Sequence, residues 1–536
     1  MVKARRLELR FVSVLILLLC AACGTSDSGR LKAAREEYLK DNFTGAEAAL
    51  FTPEVYQNDQ NRLMHYYLLS SVAMSEGLYE KAAFFLNKAR DTAISVRSAN
   101  GSFDWFSSAY RSNPIEFSYI HYMLVMSYAL LAQDGRTPAW GTPEIKNEKG
   151  VVLVQAQNVP VRVYDARESA EYATKARAEL RAWDVHLETL RRTYPNDNFY
   201  KEDVWARTLA GFVHALSNDH NEKRTAELLT NDARKILDHV SAIYPTEKNN
   251  EPAIDSLLDQ LKDRAKSKES DGNLLIVEAG VMQKYKIKRF MLGLSTVFSH
   301  ISDPHLRSMM EQLGMQVIIQ NAPEFGLILL GGGLAGAMDS GDEFDGPPRY
   351  FTDAVDRSFG FEIRFPSMPL PPADTKVTLH LSQQGKALSD VPLPILSPIE
   401  ELLAVELKNR EDGEMFSKAL KIGTEYVAIL VPAIVAYRQA TREDNVFKKL
   451  AILAGYFIAK KAIDHANNPD LRSWDFLPNL IAASYLKLAP GAYQAQVEFN
   501  NSFGRDTRDL GVLSLGSPSI PLIRKRIGEV PILKAR

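Results

Sequence analysis

The sequence predicts an α+β protein, in which an amino-terminal α-solenoid of helix pairs is followed by a β-rich, sandwich-like domain with helical insertions. Apolar residues recur at helical spacing as far as residue 270, which predicts amphipathic helices. From residue 272 onward, most segments alternate apolar and polar residues with the period of a strand. The 536 residues, 46% of them hydrophobic, are enough for two or three independently packed domains.

Residues 1–22 have the proportions of a secretory signal peptide. Four basic residues precede the apolar run 11–20, which is too short to span a bilayer: Lys3, Arg5, Arg6 and Arg10. Ala21 and Ala22 then stand directly before Cys23. This arrangement resembles the lipobox of bacterial lipoproteins, in which the signal peptidase cuts before the cysteine and its sulfur is acylated. The alternative is an ordinary secretory peptide or an amino-terminal membrane anchor with incidental cysteines.

The lipobox resemblance implies that Cys23 carries a lipid and that residues 23–30 form a lipidated tether. Since residue 24 is Gly rather than Asp, it also implies anchoring in the outer membrane of a Gram-negative bacterium, facing the periplasm. Cleavage leaves 60 basic against 65 acidic residues, a net charge of −5, which argues against nucleic acid as a partner. Cys23 is then the sole cysteine, so a disulfide, a cysteine metal site and thiol chemistry are excluded.

Residues 31–270 are predicted to form the helical repeat domain, with its best-formed unit at residues 63–90. Small and apolar residues there recur at the spacing of two antiparallel helices joined by a turn: Tyr66, Leu69, Ser70, Gly77, Tyr79, Ala82, Leu86 and Ala89. This pattern resembles one tetratricopeptide (TPR) unit. One such unit cannot bury its own apolar face, so the resemblance implies neighbouring helix pairs and a stack that binds other proteins.

Further helix pairs are predicted on either side of this unit. A degenerate pair occupies 31–50, a helix at 119–130 pairs with 166–183, and a third pair joins 205–216 to 226–240. Residues 134–163 are predicted to form a loop and a short hairpin, Pro245 to stop the third pair, and 246–271 to form a last amphipathic helix and a solvated linker.

Residues 271–536 are predicted to form the β-rich domain, with strands at 273–280, 285–290, 359–365, 375–382, 391–396 and 492–499. Helical insertions are expected near 291–350 and at 399–466. The second insertion contains two helices that are apolar over much of their circumference, with Pro432 expected to kink or start one of them. Their apolar runs are shorter than a membrane span, which favours a buried hairpin over transmembrane helices.

Three motifs raise chemical hypotheses that their context does not support. Residues 331–336 satisfy GxGxxG, but the Gly and Pro residues that follow forbid the helix that a dinucleotide site requires. The acidic segment 339–346 lacks the spacing of an EF-hand, so a solvated loop is favoured over a calcium site. Residues 484–487 match SxxK without an accompanying KTG, and are expected in a helix. We therefore predict no catalytic residue, nucleotide, cofactor or metal.

A carboxy-terminal segment, residues 470–478, combines a charged pair with a tryptophan and a proline: Asp470, Arg472, Trp474, Leu477 and Pro478. A structural role predicts that Trp474 is buried, that Arg472 pairs with Asp470, and that the segment pins the helical insertion onto the β-domain. The alternative is a ligand site in which guanidinium and indole grip a glycan or a carboxylate.

With residues 488–493, the strand at 275–280 and the helical repeats, this segment resembles a family of bacterial TPR-like lipoproteins that carry an Arg-Ser-Trp-x-x-Leu-Pro segment and have no established activity. The anchor and the repeats predict a non-enzymatic scaffold or adaptor that recruits other envelope proteins in cell-wall or outer-membrane assembly. The alternative is an envelope hydrolase acting on peptidoglycan or a lipid. A solvent-facing cleft of carboxylates or histidine would favour the hydrolase, and a concave groove lined by aromatic residues the scaffold.

Overall fold

The structure, a computed structural model, describes residues 27–57, 59–100, 110–194, 200–267, 272–292, 361–388, 390–443, 445–517 and 519–534. Its first half is helical: α1 (Asp27–Leu39), α2 (Phe43–Leu50), α3 (Pro53–Tyr56), α4 (Arg62–Ser75), α5 (Tyr79–Asn100), α6 (Pro114–Asp134), α7 (Ala166–Thr193), α8 (Val204–Ala215), α9 (His220–Val240) and α10 (Pro245–Lys266). From α4 onward, each helix packs against the next one along the chain. Among the described helices, α6 alone has the length and hydropathy of a membrane span, and 83% of its apolar window is buried inside the protein.

A long β-hairpin separates α6 from α7. It consists of three short antiparallel ladders, nested one inside the next: β1 (Arg136–Thr137) with β6 (Arg162–Val163), β2 (Trp140–Thr142) with β5 (Gln157–Val159), and β3 (Ile145–Lys146) with β4 (Val152–Val154). Gly135, in the left-handed region at φ 60°, ends α6 and begins this excursion. The predicted hairpin at 134–163 is therefore confirmed, and it is longer than the sequence indicated.

The two larger sheets of the described residues lie in the second half. The first has the order β13 (Ile395–Ser397), β14 (Leu480–Leu486), β7 (Asn273–Ala279) and β17 (Leu522–Ile527), with β17 parallel to β7. The second is antiparallel, with the order β11 (Lys386–Ala387), β10 (Lys376–Gln383), β15 (Gly491–Asn501) and β16 (Gly504–Leu515), and β12 (Val391–Pro392) also pairs with β10. The coarse prediction of an α+β protein is confirmed.

The central strand β7 belongs to two cores at once. Leu275, Val277 and Ala279 pack into an apolar core shared with the second sheet, whereas Leu274 and Ile276 point the other way, into the core of the helices. The order is therefore helices, first sheet, second sheet. Residue 271 marks a change of secondary structure, but the helices and the first sheet share one core and are not independently packed.

Residues 399–466 form a helical hairpin of α11 (Ile399–Arg442) and α12 (Val446–Ala466). Beside it, β8 (Lys286–Leu292) and β9 (Phe361–Ser367) form a separate two-stranded sheet, and Ile363 and Phe365 pack on α11. Pro432 lies inside α11 and does not start a helix. The expected insertion near 291–350 lies outside the described residues, except for the last residues of β8.

Several local predictions are wrong. Residues 480–486 form a strand, so Ser484 of the SxxK match lies on β14 rather than on a helix. Strands β16 and β17 were not predicted at all. Pro245 begins α10, where a proline at the first helical position costs no hydrogen bond, and does not stop the preceding pair. Helix α1 begins at Asp27, within the predicted tether 23–30.

Candidate functional site

The residues that define the predicted repeat lie at the contact between α4 and α5. Ser70, Ala82, Leu86 and Ala89 are fully buried, and Tyr66 and Leu69 nearly so. Gly77 has φ +76°, a left-handed conformation that favours glycine, in the turn between the two helices. Tyr79, half-buried, begins α5. The small residues let the helices approach, and this region forms the platform on which the carboxy-terminal segment docks.

The docking segment, residues 470–478, runs from the end of α12 into β14 across the inner face of the helices. Trp474 is 0% exposed and stacks on Tyr67 at 4.1 Å between ring centroids, with an edge contact to Tyr119 at 5.3 Å. Its Nε1 donates a hydrogen bond to Ser71 Oγ at 2.7 Å. Phe476 stacks on Tyr38 at 4.0 Å. The segment is thus held by aromatic residues of α1, α4 and α6.

Arg472 anchors the start of this segment. It donates from Nε and Nη2 to the two oxygens of Asp470 at 2.8 and 2.7 Å, as expected for a planar fork. From Nη1 it reaches the carbonyl oxygen of Gln60 at 3.1 Å and Asn61 Oδ1 at 2.8 Å, just before α4. The guanidinium therefore joins the segment to the entrance of α4.

Pro478 and Leu477 lead the chain from this anchor into β14. Leu477 is fully buried, and its carbonyl oxygen accepts a hydrogen bond from Met282 N at 2.9 Å. Trp474 and Leu477 thus lie against the helices and the turn after β7. The sequence predicted that the segment pins the helical insertion onto the β-domain, and this is corrected: its main contacts are with the amino-terminal helices.

Glu116 joins the start of α6 to the docking segment. It is part of a capping box, in which its Oε2 accepts from Asn113 N at 3.1 Å while Asn113 Oδ1 accepts from Glu116 N at 2.8 Å. Its other oxygen accepts from Trp474 N at 2.9 Å. Burial raises the pKa of Glu116 to about 7. The hydrogen bonds from Trp474 N and Asn113 N limit this rise, because they favour the charged carboxylate. The Asn-Pro-x-Glu pattern of a capped helix start was readable in the sequence, although its second partner was not.

An ion pair lies in the middle of the same interface. Arg524 of β17 donates from Nε and Nη2 to the two oxygens of Glu278 of β7, at 2.6 and 2.7 Å. Tyr122 OH donates to Glu278 Oε1 at 2.6 Å, and Arg524 Nη1 donates to the carbonyl oxygen of Met74 at 3.1 Å. Burial alone would raise the pKa of Glu278, but the charge and hydrogen bonds of Arg524 hold it below its usual value.

Sequence reasoning did not single out this pair. The available signal was Glu278 itself, a lone charge inside the apolar run of β7, because a buried carboxylate requires a partner. Its partner Arg524 lies 246 residues away along the chain, on a strand that was not predicted.

These contacts occupy the inner, aromatic face of the helices. Tyr38, Tyr67, Tyr119 and Tyr122 are all buried, and their partners Phe476, Trp474 and Glu278 belong to this same chain. The face that could have formed a groove for a partner is filled by the docking segment and the first sheet. Within the described residues this face is therefore not an open aromatic groove.

A group of buried carboxylates gathers where α8, α10 and α11 begin. Asp203 caps α8, accepting from Ala206 N at 3.1 Å and from Tyr200 OH at 2.8 Å, and Glu401 accepts from Thr246 N at 3.2 Å. Burial raises the pKa of Asp203 to about 6 and that of Glu401 to about 7. Burial, followed by the charges of both neighbours, raises the pKa of Glu247 well above its usual value.

A second buried acid–base contact links His121 of α6 to Glu179 of α7. The distance from His121 Nδ1 to Glu179 Oε1 is 2.5 Å, and Arg90 Nη1 donates to Glu179 Oε2 at 2.8 Å. Both side chains are at least nine-tenths buried. Within the described residues, the clustered carboxylates and this histidine thus lie in the interior and not along a solvent-facing cleft.

The described residues contain no group of His, Cys, Asp and Glu arranged to hold a metal ion. A cavity of 20 Å³, lined mainly by proline, threonine and aliphatic residues, lies between α10 and the sheets. Its volume is that of about one water molecule. Cys23, the glycine-rich segment 331–336 and the acidic segment 339–346 lie outside the described residues.

Comparison with known proteins gives no relative from which a function can be transferred. No protein-family model, no curated protein and no solved structure matches this chain.

Proposed function

We propose that this protein is an outer-membrane lipoprotein, anchored through Cys23, that acts as a non-enzymatic scaffold in the bacterial envelope. In this proposal the TPR-like helix pairs form a rigid frame, and other envelope proteins bind to its outer surface. The support comes from the lipobox-like sequence before Cys23 and from the buried small residues of the neighbouring helices α4 and α5. The resemblance to TPR-like lipoproteins supports the anchor and the helical architecture only, because that family has no established activity.

The observation that carries the proposal is the short chain between Cys23 and helix α1, together with the contacts that hold α1 to the rest of the folded protein. Helix α1 begins at Asp27, four residues after Cys23, a distance of at most about 14 Å in a fully extended chain. Within α1, Arg35 donates to the carbonyl oxygen of Met282 at 2.9 Å and pairs with Asp475 at 3.3 Å. With a lipid on Cys23, the whole rigid body would be held beside the membrane, as a scaffold for membrane-bound partners requires.

The anchor is tested by Cys23→Ser. The variant is expected to leave the membrane fraction and appear in the soluble periplasm, while the parent yields an amino-terminal peptide whose mass includes the lipid. Cys20→Ser is the matched control and should fractionate like the parent. An unmodified parent peptide that begins at another residue would refute the lipid anchor.

The scaffold role is tested by photo-crosslinking in intact cells. A crosslinking amino acid is placed at Val185 of α7 or at Leu228 of α9, which are 66% and 58% exposed, and at Val512 of β16, 57% exposed, as a control on the second sheet. Capture of the same discrete envelope protein from both helical positions, and not from Val512, is expected. Capture of no protein from either helix would contradict the proposal.

A further inference from the structure

The helical hairpin α11–α12 exposes apolar residues along both of its outer edges. Val435 of α11 is 57% exposed and Ile458 of α12 is 47% exposed. Smaller residues continue the two edges: Ala428 and Pro432 on α11, Ala451 and Ala454 on α12. The sequence predicted a buried hairpin, so these exposures are a correction.

Each exposed edge lies opposite the buried side of its own helix. Tyr426, Leu430 and Tyr437 are buried on the inner side of α11. Residue 428 lies two positions from 426 and from 430, about 200° around the helix at about 100° per residue, so the exposed edge is opposite the inner side. Tyr426 OH bonds Asp464 across the antiparallel pair, which places Pro432 level with Ile458.

Charges flank the apolar stretches at both ends. The hairpin as a whole, residues 399–466, has ten Lys and Arg against ten Asp and Glu, but the part from residue 418 onward has eight against four, a local excess of four positive charges. The stretches 426–437 and 450–459 contain no charged residue. Exposed cations lie at the base of the hairpin, Lys421 and Lys461, and near its tip, Arg442 and Lys448, of which Lys448 pairs with Glu443 at 2.6 Å. Lys and Arg side chains are long enough to reach phosphate headgroups while the apolar residues beside them contact acyl chains.

The length of the apolar stretches limits how they meet a membrane. Twelve helical residues, 426–437, extend about 18 Å, well short of the roughly 30 Å hydrocarbon core of a bilayer. We propose that the α11–α12 hairpin is a membrane-contact element that lies at the boundary between headgroups and acyl chains of an anionic bilayer. Lipid surrounds a flat-lying hairpin and so covers both edges, while the cations at each end reach phosphates. This contact goes beyond the proposed scaffold role and does not depend on acylation of Cys23.

The test uses the mature chain, residues 23–536 with Cys23→Ser, so that no lipid anchor contributes. Flotation with vesicles of phosphatidylethanolamine and phosphatidylglycerol is expected to carry the protein upward, and vesicles of phosphatidylcholine alone should not. Val435→Glu with Ile458→Glu should lower the bound fraction about tenfold, because two charges would enter the apolar layer. Lys421→Gln with Lys461→Gln should weaken binding and its dependence on salt. Val512→Glu, at a valine 57% exposed like Val435, is the matched control and should bind like the parent.

Melting temperatures of all variants are measured first, so that loss of binding is separated from loss of folding. Absence of flotation by the parent, or equal binding by the Val435→Glu, Ile458→Glu variant and the Val512→Glu control, overturns the proposal. A dimer in light scattering that the two Glu substitutions dissolve would assign the edges to a second copy instead. A photo-crosslinker at Ile458 that captures residues 293–360 of the same chain, in the presence of vesicles, would equally overturn it.

Discussion

The two faces of strand β7 are stabilised by different kinds of contact. The face toward the second sheet is apolar: Leu275, Val277 and Ala279 meet residues such as Leu379, Val497 and Phe499. The face toward the helices adds Glu278 with its arginine partner, beside the docking segment with its stacked rings and hydrogen bonds. An apolar contact is non-directional and tolerates volume-conserving substitutions. Removing one member of a buried ion pair or hydrogen bond costs more stability, because the other member stays buried without a partner.

Consequently, single substitutions on the helix-facing side should cost more than matched ones on the sheet-facing side, and the substitutions below test this. The comparison also bears on function. A helical region joined to its sheet by directional contacts holds one geometry, which the proposed scaffold role would require.

The largest effect is expected for Trp474→Ala. Removal of a fully buried indole leaves a cavity between Tyr67 and Tyr119 and leaves Ser71 Oγ without its donor, so the free energy of unfolding should fall by about 3–5 kcal/mol. Thermal and urea unfolding measure this loss. Trp474→Phe keeps much of the stacking and should lose less. If Trp474→Ala melts like the parent, the docking segment does not hold the helices to the sheet.

The ion pair should show a different pattern when its members are removed singly and together. Arg524→Met leaves Glu278 buried with only Tyr122 as a donor, so a loss of about 3–5 kcal/mol is expected. Adding Glu278→Met removes the uncompensated charge and should restore a large part of that loss. Ile395→Val, in the apolar core between the two sheets, is the sheet-facing control and should cost about 0.5–1.5 kcal/mol. Additive losses in the double variant would show that the pair does not act as a unit.

The carboxylates at the start of α8, α10 and α11 predict how stability depends on pH. The pKa of Glu401 rises from 4.5 to about 7 on folding, so between those values the native state binds more protons than the unfolded chain. The free energy of unfolding should therefore fall as pH rises from about 4.5 through about 7. Glu278 acts in the opposite direction, because its lowered pKa adds stability above its unfolded value, which is lost only as pH falls below that value.

Glu401→Gln keeps an acceptor for Thr246 N and removes the titration. Its melting temperature should decline less than that of the parent between pH 5 and pH 8, by an amount equivalent to on the order of 1–2 kcal/mol. Part of the decline should persist, because burial also raises the pKa of Asp203 and Glu247. Glu36→Gln, on the exposed side of α1, controls for the loss of one charge. Parallel pH profiles for the parent and Glu401→Gln would contradict the assignment.

The elements with clear periodicity were predictable from sequence. Helical spacing located α4, α5, α8 and α9, and alternation located β10 and β15, because each has one face in a core and one outward. Strands β7 and β14 are both buried throughout, so no alternation marks either of them. Strand β7 was still predicted from its continuous Leu, Ile and Val residues, whereas β14 was missed because two alanines and a serine interrupt its apolar run. The candidate site could be predicted from the sequence only in part. Trp474 and Arg472 stood out, but their partners Ser71 and Gln60 lie more than 400 residues away, where local patterns carry no information.

The smallest effect is expected for Arg472→Lys, and it decides between the structural and the ligand-binding interpretations of the docking segment. A lysine can reach Asp470 or Gln60, but it lacks the fork that bonds both oxygens of Asp470 while Nη1 bonds Gln60 and Asn61. Because the guanidinium is partly exposed, the loss should be about 1 kcal/mol. Arg472→Ala should lose more, since it also leaves Asp470 without its bidentate partner.

These two variants are measured for melting temperature and for complementation of a deletion strain. A structural role predicts that complementation declines only as far as melting temperature declines, in the order parent, Arg472→Lys, Arg472→Ala. A ligand site predicts the other outcome, in which Arg472→Lys and Trp474→Ala melt like the parent yet fail to complement. The contacts of Arg472 favour the first, because its fork and its remaining amino group are already directed to atoms of this chain on both sides of the junction.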